Sequence, residues 1–220
     1  MYIKHKLFCA VFCLLIVGCT QRFQDTSATL KEAFLGFDNV ELTKKQVEDL
    51  PYASIYARIN EGHRIFMVLA YAEENPVNGV MQLKWMSADK AIIVTENGRI
   101  VKTLFLPENN LASLSALEQL PPPSPNNQVW QAQYDWQPNY RFGYQANVAS
   151  KKISEQLLTS LLWEKETVLV QESINIDGFP TPISNLFWLD NQGDVVKSAQ
   201  WIVPNKLHIE LEVLKPAAVQ

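Results

Sequence analysis

The stretch that decides the fold is residues 90–106, KAIIVTENGRIVKTLFL. Two runs rich in β-branched residues flank Asn97-Gly98, and this dipeptide between apolar runs is the strongest short-range signal for a β-hairpin. One face of the hairpin is largely apolar and the other is mixed, which is typical of an antiparallel sheet with one buried face. A two-residue turn predicts a register that pairs Glu96 with Arg99, Val94 with Val101 and Ile93 with Lys102.

The same strand-like pattern continues on both sides of this hairpin. Turn residues separate further runs at 54–59, 64–71, 80–86, 129–136, 140–148, 168–176, 186–189, 195–203 and 207–214. Residues 157–163 are compatible with either a short helix or a strand. The pattern predicts a mainly β protein: an antiparallel twisted sheet of about ten strands that forms an open barrel or a sandwich, with one or two short helices.

One helix is well marked before the first strand. Thr43 and Gln46 form a T-x-x-Q capping box, and Leu42 with Val47 makes the matching hydrophobic staple. Pro51 is expected to end this helix.

The proline-rich run at 120–125, Leu-Pro-Pro-Pro-Ser-Pro, predicts a stiff extended connector. It fits either a linker between domains or a surface loop across one end of a barrel. We expect residues 42–220 to form a single β-rich periplasmic domain that contains this connector.

The N-terminus has the features of an export signal. Lys4 and Lys6 precede an apolar run at 7–17 that is too short to span a bilayer. The end of the run, Ile16 to Cys19, resembles the bacterial lipobox, in which the cysteine is acylated, for example with palmitate, and becomes the first residue. A chance cysteine in an ordinary secretory signal is the alternative.

This reading predicts a signal peptide at 1–18, lipidation at Cys19 and a lipid-anchored tether at 19–41. Two or more acyl chains make membrane anchoring effectively permanent. Thr20 stands where lipoproteins retained in the inner membrane have Asp. The resemblance therefore implies a location at the periplasmic face of the outer membrane.

Charge and cysteine content restrict the function further. The signal peptide would remove two of the 19 basic and none of the 23 acidic residues, leaving a net charge of −6. An acidic protein is a poor candidate for binding nucleic acid or anionic headgroups. The three cysteines lie at Cys9, Cys13 and Cys19, so the folded part has no thiol, disulfide or cysteine metal site.

Short stretches spread over the whole chain are similar to those of one family of proteins. They are residues 42–43, 50–54, 66–70, 83–85, 88–89, 97–103, 136–140, 142–144 and 198–201. On these stretches the chain resembles the YjbF/GfcB family of outer-membrane lipoproteins, which are encoded with exopolysaccharide and group 4 capsule secretion systems. The resemblance implies partners in polysaccharide export: an export channel, a companion periplasmic protein and a large β-barrel. It supplies no catalytic residues.

Catalytic and metal sites have little support in the sequence. A Ser-His-Asp site would need His63 or His208, and neither lies in a recognisable motif. A glycosidase would need two facing carboxylates, but the available aspartates stand beside turn residues, where Asp is common for backbone reasons. We expect no metal site and no cofactor. The candidate aspartates are Asp89, Asp135, Asp177 and Asp190.

Aromatic residues are the more informative set, because sugar faces and protein partners both pack against such rings. Trp85, Trp188 and Trp201 lie within predicted strands, and we expect them to fill the core. Trp136 and Tyr140 flank a predicted turn, so they are candidate contacts for a glycan or a partner, with core packing as the equal alternative.

The sequence therefore predicts a lipid-anchored, non-enzymatic accessory protein for the export or assembly of an extracellular or capsular polysaccharide. One alternative is a periplasmic carrier that binds acyl chains or a lipid-linked sugar in an open barrel. A polysaccharide-cleaving glycosidase is the second alternative. A deep apolar cavity would favour the carrier, and two facing carboxylates in a cleft would favour the glycosidase.

Overall fold

The computed structural model describes residues 41–218. The predicted signal peptide, Cys19 and the tether up to residue 40 lie outside this range. The described part contains one helix and twelve strands: α1 (Lys44–Asp49), β1 (Ser54–Ile59), β2 (Arg64–Glu74), β3 (Met81–Ser87), β4 (Ile92–Glu96), β5 (Arg99–Leu104), β6 (Asn110–Ala116), β7 (Val129–Gln137), β8 (Arg141–Thr159), β9 (Glu164–Ile176), β10 (Ile183–Leu189), β11 (Val195–Val203) and β12 (Leu207–Lys215).

All twelve strands belong to one antiparallel sheet in the order β5-β4-β3-β2-β1-β12-β11-β10-β9-β8-β7-β6. Strands adjacent in sequence are therefore neighbours in the sheet, and β12 pairs with β1. This meander curls until β5 and β6 lie side by side, giving a nearly closed barrel. The mainly β, antiparallel fold is confirmed, and of the two expected forms the structure shows the barrel.

The β5–β6 seam, defined by the facing edges of these two strands, is bridged by side chains. The Thr103 hydroxyl accepts a hydrogen bond from the backbone N–H of Leu111 at 2.9 Å and donates one to Asn110 Oδ1 at 3.2 Å. The Gln200 side chain reaches β5 from β11, accepting from the Ile100 N–H and donating to the Gly98 carbonyl, both at 3.0 Å. Backbone polar groups at the edges of β5 and β6 thus have side-chain partners, although no backbone ladder joins these two strands.

The hairpin of β4 and β5 forms as predicted, but its register differs. Glu96 pairs with Arg99, whereas Val94 pairs with Lys102 and not with Val101. A β-bulge leaves Val101 unopposed, so the predicted pairs beyond the turn were wrong by one residue. Gly98 has φ +76°, and a Cβ there would lie 2.3 Å from Val195 Cβ. Only glycine fits this turn.

The predicted helix is confirmed with its caps. Gln46 Oε1 accepts from the backbone N–H of Thr43 at 2.8 Å, and the Thr43 hydroxyl accepts from that of Gln46 at 3.3 Å. Val47 is buried against Tyr56 and Leu214 on the outer face of the barrel. Within residues 41–218 no helix has the length and apolarity needed to cross a membrane.

The proline-rich run lies in the β6–β7 connection, residues 117–128, at one end of the barrel. Leu120 is buried in the core, and the Pro121 carbonyl accepts a hydrogen bond from Arg99 at 3.1 Å. Of the two readings of residues 120–125, the structure shows a loop at the end of the barrel. The ambiguous residues 157–163 are the end of β8 and the tight connection to β9.

Candidate functional site

The antiparallel meander places alternate connections at opposite ends of the barrel. We call the upper end the one with the β1–β2, β3–β4, β5–β6, β7–β8, β9–β10 and β11–β12 connections. The lower end carries the other connections, including residues 117–128 and the Asn97-Gly98 turn. The predicted contact residues Trp136 and Tyr140 both belong to the upper end.

Trp136 lies inside the barrel. Its side chain is fully buried, and its indole N–H donates to the Ile202 carbonyl at 2.8 Å. Its ring packs against Tyr134, Tyr144 and Phe179, with centroids 5.6, 4.9 and 5.9 Å away. The structure therefore places Trp136 in the core, where it cannot touch a partner from outside.

Tyr140 has the opposite environment, at the tip of the β7–β8 turn. It is 92% exposed. Its φ of +52° follows +75° at Asn139, and positive φ is rare for a bulky side chain. Arg141 braces the turn by donating to the Pro138 carbonyl at 3.2 Å and to Asn109 Oδ1 at 2.9 Å. The Tyr140 ring is thus held outward on a hydrogen-bonded support.

Phe142 joins Tyr140 at the surface, and the sequence analysis missed it. The two ring centroids lie 6.3 Å apart in an edge-to-face arrangement, and Phe142 is 51% exposed. Regular alternation would place Phe142 on the interior face with Tyr144 and Ala146. Gly143, at φ +75°, interrupts that alternation, and its N–H donates to Asp135 Oδ1 at 2.7 Å. The sequence feature that could have indicated the exposure of Phe142 is the glycine between two aromatic residues, Phe142-Gly143-Tyr144.

A third exposed ring lies on the neighbouring connection. Phe105, between β5 and β6, is 74% exposed and has φ +62°. Its loop is joined to the β7–β8 turn by the hydrogen bond from Arg141 to Asn109. We call Phe105, Tyr140 and Phe142 the aromatic rim. It offers apolar area on two linked loops at the upper end.

The interior holds a buried ion pair between β5 and β9. The Arg99 guanidinium binds both carboxylate oxygens of Glu172, with Nη2 2.8 Å from Oε1. Its Cζ lies 4.9 Å from the ring centroid of Trp130 and 5.2 Å from that of Phe187. Burial by itself would lower the pKa of Arg99. The negative charge of Glu172 and its hydrogen bond to Arg99 have the larger combined effect and hold that pKa above its ordinary value. The pair is fully satisfied, so it ties two distant strands together.

The volume of empty space inside the barrel is relevant to the alternative that the protein carries acyl chains. Large buried side chains fill the interior, among them Met67, Trp136 and Phe187. A recess beside Trp85 and Gly98 measures about 80 Å³. Ligand pockets usually measure ~300–1,000 Å³. This interior does not favour an acyl-chain carrier.

The aspartates considered for a glycosidase have local roles in turns. Asp190 Oδ1 accepts from the N–H groups of Gln192 and Asp194, both at 3.0 Å. Burial alone would raise the pKa of Asp190, but these bonds and the ion pair with Lys165 hold it below its ordinary value. Asp135 accepts from the Gly143 N–H, and Asp89 from the Ser87 hydroxyl. The Asp190 and Asp135 carboxylates thus bind backbone N–H groups close to their own turns, and Asp89 binds a neighbouring side chain.

Of the three histidines in the sequence, the two within residues 41–218 lie at the upper end of the barrel, in or beside different connections. His63 is exposed next to the β1–β2 turn. His208 packs on Trp201 with ring centroids 4.9 Å apart, and burial lowers its pKa although Glu210 and Glu61 act in the opposite direction. Across residues 41–218 no group of three or more His, Cys, Asp or Glu is placed to hold a metal ion.

The other tryptophans also differ in their surroundings. Trp85 is buried, and its indole N–H donates to the Thr95 hydroxyl at 3.0 Å, as expected for a core residue. Trp201 is partly buried against the core. Trp188 is half-buried, with Lys197 Nζ 5.2 Å from its ring centroid.

The fold and these residues can be compared with known proteins. Residues 27–214 match the family model described as "Group 4 capsule polysaccharide lipoprotein gfcB, YjbF". The chain is 31% identical to the uncharacterized lipoprotein GfcB of Escherichia coli strain K12, covering 97% of this chain and 99% of that protein. It is 28% identical to the uncharacterized lipoprotein YjbF of the same strain, over 94% of this chain and 96% of that protein.

A solved structure extends this similarity to the fold. The crystal structure of the hypothetical lipoprotein YmcC from Escherichia coli K12 superposes with a TM-score of 0.67 at 28% identity, covering 82% of this chain and 92% of that chain. The relatives carry no enzymatic name. The matched family model spans far more than half of the sequence. The chain is therefore a member of the YjbF family of group 4 capsule polysaccharide lipoproteins.

Proposed function

We propose that this protein is a lipid-anchored, non-enzymatic accessory protein for the export or assembly of an extracellular or capsular polysaccharide. The observation that carries the proposal is the family match over residues 27–214, with relatives aligned along nearly their whole length. The filled barrel supports it, because the interior favours neither a carrier nor a hydrolytic cleft. The expected partners are an export channel, a companion periplasmic protein and a large outer-membrane β-barrel.

Cys19 would anchor the protein to the periplasmic face of the outer membrane. The lipobox-like end of the apolar run and the membership of a lipoprotein family support this location. Several acyl chains bury dozens of methylenes at ~0.8 kcal/mol each, so the attachment would not be reversible. The barrel would then be held close to any export machinery in the same membrane.

We expect Cys19→Ser to abolish lipid attachment and leave the precursor unprocessed. Mass spectrometry of the membrane-extracted wild type should show a chain that starts at Cys19 with added acyl mass. Cys13→Ser is the matched control, because it removes a thiol from the same signal without touching the acylated position. A wild-type chain without acyl mass, or one cleaved beyond Thr20, would contradict the anchor.

The aromatic rim is the surface through which the barrel would meet a partner. Tyr140 and Phe142 offer large apolar area on a braced turn, so contact would cost little conformational entropy. Aromatic residues dominate the binding energy of protein interfaces, and sugar rings also pack against them. Since Trp136 is buried, the contact proposed for the turn rests on Tyr140 with Phe142 and Phe105.

We expect Tyr140→Ala with Phe142→Ala to reduce polysaccharide secretion at least about tenfold, because truncating an interface hot spot costs ~2 kcal/mol or more of binding free energy. The melting temperature and the cellular level should stay near those of the wild type, because both rings are exposed. Tyr52→Ala with Leu117→Ala is the matched control: it removes two exposed apolar side chains from the lower end and should leave secretion unchanged.

A photo-crosslinking phenylalanine analogue at position 140, compared with position 52, identifies what the rim touches. An adduct with an envelope protein or with polysaccharide, seen at position 140 alone, supports the proposal. A stable, abundant and fully secreting double variant would exclude the rim. Unchanged secretion in a strain that lacks the protein would overturn the proposed function itself.

A further inference from the structure

The outer face of β7, β8 and β9 presents a group of amide side chains arranged in rows across the sheet. Gln133 pairs with Gln145, and in the next row Asn147 pairs with Gln131 on one side and with Asn175 on the other. Four of these five residues are exposed, and Gln133 is partly buried. We call the five residues the amide face. The row that follows toward the lower end contains Val129, Ala149 and Ser173.

None of these three rows contains a charged side chain, although charges are common on the outer face elsewhere. On β1, β11 and β12, Lys197 pairs with Glu212 and Arg58 pairs with Glu210. Long charged side chains are the usual occupants of solvated positions, so their absence from three consecutive rows sets this part of the sheet apart. The charged residues that border the rows are Asp135 and Asp177 toward the upper end and Lys151 toward the lower end.

Most hydrogen-bonding groups of the amide face are open to a ligand. Gln145 Nε2 donates to Gln133 Oε1 at 3.0 Å. Within residues 41–218 no hydrogen bond holds the side-chain amide of Gln131, Asn147 or Asn175. Each amide offers two donor protons and an acceptor oxygen, and a hydroxyl group is likewise both donor and acceptor. With ~4.8 Å between strands and ~7 Å between rows, the face is a regular array of uncharged donors and acceptors.

The preference of residues for strands does not account for this composition. Asn is depleted in strands, yet Asn147 and Asn175 are direct partners in the β8–β9 ladder. Ladders of Asn and Gln also stabilise the stacking of sheets in aggregates. A binding role would offset both disadvantages.

We propose that the amide face binds an uncharged, hydroxyl-rich stretch of a sugar chain, an inference that rests on the proposed role in polysaccharide export. Sugar hydroxyls would exchange hydrogen bonds with Gln131, Asn147 and Asn175. Phe142 of the aromatic rim belongs to the same strand as Gln145, so the two surfaces are neighbours along β8. The amide face has neither the aromatic and Arg side chains that dominate protein interfaces nor the positive charge that attracts an anionic polymer or lipid surface.

The test uses the full-length protein, purified in a detergent without a sugar headgroup, and native gels cast with a polysaccharide. The probe is the extracellular polysaccharide of the strain that encodes this protein, after reduction of its carboxyl groups to alcohols. The polymer should slow the migration of the wild type equally at low and high salt, because no charge pairs are involved. The same polymer after O-methylation should have no effect, since its hydroxyl donors are lost.

Gln131→Ala with Asn147→Ala should weaken binding of the polymer about tenfold, because two hydrogen-bonding side chains are removed from one row of the face. Asn127→Ala with Gln192→Ala is the matched control: it removes two exposed amides at the lower end and should bind like the wild type. Both variants should keep the melting temperature of the wild type, since all four side chains are exposed.

No retardation of the wild type, an equal loss in both alanine variants, or equal retardation by the methylated polymer would overturn the proposal. A dimer in sedimentation that only Gln131→Ala with Asn147→Ala abolishes would instead assign the amide face to contact between two copies of the chain. If the wild type is not retarded but a strain lacking the protein stops secreting polysaccharide, the amide face fails as a sugar site while the accessory role stands.

Discussion

Trp136→Ala is expected to destabilise the protein by about 3–5 kcal/mol, because it removes a fully buried indole and leaves a cavity among three other aromatic rings. The Ile202 carbonyl also loses its donor in the interior. A typical domain has ~5–15 kcal/mol of total stability, so the cellular level of the variant should fall. The shift of the urea midpoint at constant m-value measures the effect.

Two matched variants identify the cause. Trp136→Phe keeps an aromatic ring but cannot donate to Ile202, so we expect a smaller loss than for alanine. Trp188→Ala removes the same side chain from a half-buried position on β10 and should also cost less. A loss below about 1 kcal/mol in Trp136→Ala would show that the core around this ring is not close-packed.

Glu172→Gln should destabilise the protein by about 3–5 kcal/mol, because it leaves the Arg99 cation buried without a counter-charge. Arg99→Met should cost a similar amount at neutral pH, since it leaves a buried carboxylate unpaired.

Arg99→Met with Glu172→Leu removes both charges and should return close to wild-type stability. Urea unfolding at neutral pH measures all three variants. A double variant as unstable as the singles would show that packing of Arg99 on Trp130 and Phe187, not charge pairing, dominates.

Local sequence signals predicted the elements of this fold better than their relative placement. The capping box at Thr43 and the turn at Asn97-Gly98 form as expected, since both depend on residues within a few positions of each other. The register beyond the turn could not be predicted, because no local signal marks the bulge at Val101, and the Arg99 side chain beside the turn binds Glu172 in the distant strand β9.

Strand β6 was not predicted at all. Its sequence, Asn-Leu-Ala-Ser-Leu-Ser-Ala, is poor in the β-branched and aromatic residues that favour strands. Pairing with β7 on one side and side-chain bonds to β5 on the other hold it extended. Tertiary context therefore overrides a weak local preference here.

In the candidate site, too, local residues predicted the position of the turn but not the orientation of its aromatic side chains. The turn at 138–140 was located from Pro138 and Asn139, but which aromatic faces solvent depends on the sheet. Trp136 belongs to the interior face of β7, while Tyr140 lies beyond the last pair of β7 and β8. Phe142 escaped notice because a single glycine reverses the expected alternation.

The seam between β5 and β6 is the place where the barrel lacks a backbone ladder between neighbouring described strands. Every other boundary between neighbouring described strands has a backbone ladder, whereas this one depends on the side chains of Thr103, Asn110 and Gln200. The backbone N–H groups of Ile100 and Leu111 donate to the Gln200 and Thr103 side chains and not to a neighbouring strand. The same side chains occupy backbone polar groups that a strand of another molecule would use to pair with an open sheet edge. Among the described strands, the edges of β5 and β6 that lack a backbone ladder are therefore less available as templates for aggregation.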